Sequence, residues 1–126
     1  MNLTEANLVE PDLSEASLSR SILNQARLAF ARLQGTDLEQ AELIRANLSD
    51  ADLSRANLIG ANLREANLLR ANLTAANLTE TNLLRANLMD TQLNLTQFDL
   101  FAGGKIRLSR ANRSQPDGGR SALEPL

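Results

Sequence analysis

Leucine stands at residue 3 and at every fifth residue up to Leu93, and Phe98 completes twenty units without an insertion or a slip. Two residues before each of these central positions the side chain is small. It is Ala in thirteen units, Ser or Thr at Ser21, Thr36, Thr81, Thr91 and Thr96, and only Met1 and Pro11 depart from the rule. The residue between is polar in nineteen units, ten of them Asn, with Ile22 the exception. The two remaining positions vary and carry most of the charge.

A helix cannot use this period. At about 100° per residue, five residues advance about 500°, so successive leucines would rotate by about 140° and spiral around the axis. The small–polar–Leu triplet has the two-residue alternation of an extended segment, with the small residue and Leu inward and the polar residue outward. Two variable residues then allow a turn. One unit alone buries almost nothing. If the chain turns by a quarter at each unit, four units close a coil of about 20 residues and the next coil stacks on it through parallel pairing. The expected core is the central column, Leu43, Leu48, Leu53, Leu58, Leu63, Leu68, Leu73, Leu78, Leu83, Leu88, Leu93 and Phe98 among it, with Ala beside it because larger side chains would overfill so narrow a tube.

The triplets Ala46-Asn47-Leu48, Ala56-Asn57-Leu58, Ala61-Asn62-Leu63 and Ala71-Asn72-Leu73 resemble the pentapeptide-repeat family, commonly written A-(D/N)-L-X-X. The resemblance covers residues 1–100. It implies an all-β fold, a right-handed quadrilateral β-helix (β-solenoid), here of about five coils. The pattern is weakest at Pro11, Ile22, Arg27 and Arg32, so the early coils are expected to be less regular.

After Phe98 the central positions become Gly103, Leu108 and Arg113. A buried, unpaired Arg is costly, so the solenoid is expected to occupy 1–101 and a flexible basic tail 102–126. Residues 1–100 hold 13 acidic and 8 basic side chains, and residues 101–126 hold 2 and 5. Neither balance is extreme enough to indicate nucleic acid or a membrane as partner. No basic, apolar leader is visible at the N-terminus, and a cytoplasmic setting is the expectation.

The chain has no His, Cys or Tyr to serve as base, nucleophile or metal ligand. No catalytic, metal or cofactor-binding residue is assigned, and no cofactor is expected. Of the Asn-X-Ser/Thr sequons at Asn2, Asn47, Asn72, Asn77, Asn94 and Asn112, most follow from the repeat itself.

Under a 20-residue coil, three columns alternate in charge: Arg45, Glu65 and Arg85; Asp50, Arg70 and Asp90; Asp12, Arg32 and Asp52. Alternation of this kind fixes the register of stacked coils. Ile44, Ile59, Leu69, Leu84 and Met89 follow central leucines and are expected to face outward. Leu69, Leu84 and Met89, with Leu100 and Phe101 at the end of the last coil, are the candidate contacts for an unidentified protein partner. Phe98, Leu100 and Phe101 suit either a plug for the tube or a homodimer joined through the C-terminal coil.

The reading is a non-enzymatic structural or protein-interaction module on a rigid rod. The resemblance implies an alternative, DNA mimicry directed at DNA gyrase, which the arginines within the acidic columns oppose. A second alternative is an accessory domain or fragment of a longer protein.

Overall fold

The computed structural model describes residues 1–98, which wind with a 20-residue period. Parallel pairs Asn2↔Ile22, Asn7↔Arg27, Asp12↔Arg32 and Ser17↔Asp37 begin four ladders. These run from coil to coil through pairs such as Asn47↔Asn67 and Asp52↔Asn72. The fourth ladder ends in two short parallel strands, β1 (Asn77–Leu78) and β2 (Gln97–Phe98), paired Asn77↔Gln97 and Leu78↔Phe98. Each face is one triplet wide, so the remaining pairings are single bridges rather than long strands.

The interior is a column of leucines flanked by alanines. From Leu23 to Leu93 every central leucine is at most 1% exposed. The first coil is looser, with Leu3, Leu8, Leu13 and Ala16 only partly buried against the core. Thr36, Thr81, Thr91 and Thr96 are buried at the small position. Each hydroxyl donates to the carbonyl of a leucine in the coil before, Thr81 Oγ1 to Leu58 O at 2.7 Å for example. A buried hydroxyl is thereby matched, which is the condition for tolerating it.

The backbone donors of one unit are disposed of in a fixed way. Taking the unit 66–70, Asn67 N donates to Ala46 O at 2.9 Å in the preceding coil. Leu68 N and Arg70 N donate to Asn87 O and Met89 O in the next, at 2.8 and 3.0 Å. Ala66 N closes the preceding turn onto Leu63 O at 3.0 Å. That leaves Leu69 N, which donates to the Asn67 side-chain Oδ1 at 3.1 Å. The same contact recurs at Asn47, Asp52, Asn57, Asn62, Asn72, Asn77, Asn82 and Asn87. Asn and Asp dominate the polar position because they bond locally to the backbone two residues on. Where Glu42 replaces them, Asn24 of the coil before supplies the acceptor, its Oδ1 lying 2.8 Å from Ile44 N. Asn94 stands at the corresponding turn position of the last coil, and its buried Oδ1 has no partner among the described residues.

Every corner has a residue with positive φ at its outer position. Seventeen are not glycine and cluster between +57° and +62°. With the turn-closing hydrogen bond this is the type II pattern, normally met by Gly or Asn. Gly35 and Gly60 are the two glycines in the series. A Cβ on Gly35 would fall 2.5 Å from Glu15 Oε1, so glycine there admits the Glu15 carboxylate.

The early coils keep the register despite their departures from the pattern: Ile22, Arg27 and Arg32 all pair 20 residues in both directions. The loss of the turn-closing bond is confined to one corner. Pro11 has no N–H, so the Leu8–Pro11 corner lacks the closing bond that Ala6 N→Leu3 O and Ala16 N→Leu13 O make on either side at 3.0 Å. The expectations for Leu100, Phe101 and the 102–126 tail, and for the side chain of Phe98, lie outside the described residues.

Asn67→Ala is expected to lower stability by about 1–2 kcal/mol, since it orphans the half-buried Leu69 N–H. Arg27→Ala, at the same position of the repeat on the same face, is expected to change it by less than about 0.5 kcal/mol. Chemical denaturation of both variants tests the difference.

Candidate interaction surface

The outward residues fall into columns because residues 20 apart stack. Two of the three expected charge columns contain ion pairs. Arg70 grips Asp50 with two nitrogens, Nε to Oδ1 at 2.8 Å and Nη2 to Oδ2 at 2.9 Å. This bidentate geometry is the strongest form of an Arg–carboxylate contact. Arg45 Nε lies 3.4 Å from Glu65 Oε1, whose other oxygen is 3.1 Å from Arg64 Nη2.

The third column behaves differently. Among the described residues Arg32 forms no ion pair within 4 Å, although Asp12 and Asp52 stack below and above it. Asp12 accepts instead from Ser14 N at 3.1 Å, and Asp52 from Gln34 Nε2 at 2.9 Å and Ser54 N at 3.0 Å. Ser14 holds the Asp12 carboxyl below its ordinary pKa, first through its hydroxyl and then through its N–H. The same hydroxyl lies 2.9 Å from Gln34 Oε1, and its one proton serves a single acceptor at a time.

Leu69, Leu84 and Met89 are half-buried, as are Ile44 and Ile59. They occupy the first turn position, as the exposed Val9 also does, but lie partly against the rod. The large apolar side chains that do project are elsewhere: Val9 (49% exposed), Phe30 (55%) and Leu95 (75%), besides Met1. Phe30 and Leu95 occupy the positive-φ position. The repeat alone does not separate the two turn positions, and the signal that would have was the turn type. Among the described residues no group of three or more His, Cys, Asp or Glu could hold a metal ion, and no helix is long and apolar enough to cross a membrane.

The side-chain hydrogen bond from Arg70, with its charge, holds Asp50 below the ordinary carboxylate range. A carboxyl with a depressed folded-state pKa stabilises above its unfolded value, near 3.9, and loses that contribution as the pH falls through the folded value. Asp50→Asn is therefore expected to be less stable than the native chain at neutral pH. The gap should close below about pH 4, as read from urea midpoints across the acid range.

The geometry has counterparts among known proteins. The pentapeptide-repeat family model matches in overlapping stretches, 2–40, 21–58, 31–68, 41–79 and 66–100, with eight copies of the repeat. A pentapeptide repeat protein from the thylakoid lumen of Arabidopsis thaliana is 26% identical and superposes with a TM-score of 0.79, over 97% of this chain and 86% of its own. One from the cyanobacterium Cyanothece 51142 is 33% identical, over 78% of this chain and 84% of its own, with a TM-score of 0.42. Another, from Nostoc, is also 33% identical, over 75% and 76%, with a TM-score of 0.49. No curated protein matches the chain. Repeat model, register and superposition agree, and the chain belongs to the pentapeptide-repeat family.

Proposed function

We propose that this chain is a non-enzymatic interaction module, a right-handed four-sided rod whose corner side chains are recognised by a protein partner. One observation carries the reading. The constant residues are consumed by the interior and by backbone hydrogen bonds, while the outer corner position holds Glu, Gln, Arg, Asp, Ala, Leu, Phe and Gly on the same φ. The fold therefore accepts many different side chains at that position. A stiff scaffold with freely chosen outward groups at fixed spacing is a surface for recognition, as in other stacked-repeat proteins.

The test compares the immobilised native chain with a variant carrying Ser at Glu10, Phe30, Arg45, Asp50, Glu65 and Arg70. Both are expected to fold, and only the native chain should retain a protein from the native lysate. Equal retention overturns the reading. DNA mimicry at gyrase is the weaker alternative, because Arg70 and Arg45 are bonded to the very carboxylates that would imitate phosphates. The purified chain is expected to leave supercoiling by gyrase unchanged at micromolar concentration, and inhibition would restore that alternative.

A further inference from the structure

Three unusual features meet at one corner of the first two coils. Pro11 removes the turn-closing bond there, Val9 projects from the lower coil, and Phe30 projects from the upper coil on a left-handed backbone. A bulky aromatic with positive φ is an outlier that local conformation disfavours. More than half exposed, Phe30 gains little from burial in exchange. Beside it lies an open depression of about 480 Å³ lined by Glu10, Asp12, Phe30 and Arg32. The two carboxylates come from the lower coil, the ring and the guanidinium from the upper. Coil 1 is also the most acidic, with Glu5, Glu10, Asp12 and Glu15 against Arg20 alone. Neither groove carboxylate is in an ion pair among the described residues.

We propose that this groove receives the cationic side chain, Arg or Lys, of a protein partner. The cation lies against the Phe30 ring, whose face attracts positive charge, and takes Glu10 and Asp12 as counter-ions. Val9 offers apolar contact to the neighbouring residue of the same segment. Arg32 opposes an incoming cation and so sets the sign of the test. The proposal rests on the interaction-module reading and names the chemistry of the partner.

The experiment titrates the full ¹⁵N-labelled chain with N-acetyl-arginine methylamide, and separately with N-acetyl-glutamate methylamide, following backbone amide shifts. Arginine is expected to move the amides of residues 9, 10, 12 and 29–32, and glutamate to leave them in place. Phe30→Ala, at an exposed side chain, should weaken arginine binding by about two- to fivefold, and Phe30→Leu should weaken it similarly, which separates loss of the ring from loss of bulk. Arg32→Gln should tighten it.

Shifts spread over every acidic corner, a matching response to glutamate, or an unchanged affinity in both Phe30 variants would each overturn the proposal. So would weakening on Arg32→Gln, which would mark the groove as an anion site. Failure of the arginine response, with native-over-variant retention from lysate intact, overturns the groove alone and leaves the module reading standing.

Discussion

Each unit of the solenoid has five backbone N–H groups to place, fewer only where proline intervenes, and the fold follows from where they go. Three donate between coils, one closes a turn, and the fifth lies in the turn itself, out of reach of either neighbouring coil. In most units an Asn or Asp side chain two residues earlier accepts that fifth proton, as Asn67 does for Leu69 at 3.1 Å. A buried or half-buried amide without a partner costs roughly as much as a lost hydrogen bond. A structure that repeats the same turn at every fifth residue would multiply that cost. The polar position of the repeat is thus a backbone-satisfying position, and its outward direction is secondary. Asn24 shows the requirement acting across coils: where Glu42 is too long for the local contact, an Asn 20 residues before Ile44 provides it.

The same ladder explains why the corners tolerate left-handed backbone. A non-glycine residue in that region costs of the order of 1 kcal/mol, and here it recurs at Glu, Arg, Gln, Phe and Leu alike. The corner residue's own N–H is held by the next coil, as Arg70 N is by Met89 O. Its φ is imposed by the stacking and does not reflect its own preference. A local penalty is carried by a cooperative, non-local lattice, which is why the residues chosen there show none of the Gly or Asn bias that ordinarily marks such turns.

That distinction separates what was legible in the sequence from what was not. The period, the inward Leu and Ala, and the 20-residue register could be read because they arise from burial, and burial leaves a pattern in residue type. The bidentate Arg70–Asp50 contact was legible as column alternation because that 20-residue register stacks the two residues. Arg32 sits in an equally alternating column yet makes no ion pair among the described residues, because Ser14 and Gln34 offer hydrogen bonds to its flanking carboxylates. Alternating charge fixes proximity, and local donors decide pairing. Leu69, Leu84 and Met89 read as outward because they follow a buried residue. The left-handed corner beside them, which Phe30 also adopts, has no signature in the residues that adopt it.

The outer corner position is consequently where fold and function are least entangled. Substitution inside the tube alters volume in a close-packed column and is felt as stability. Substitution at the polar position removes a backbone acceptor. Substitution at the corner leaves both intact, since Glu, Arg, Ala, Leu and Phe already occupy it with the same φ. Selection can therefore act on corner chemistry without opposing the fold. The clustering of Val9, Glu10 and Phe30 at one corner is informative because nothing in the lattice requires it. A residue that the fold neither needs nor favours, at a position where the fold is indifferent, is best explained by what lies outside the rod.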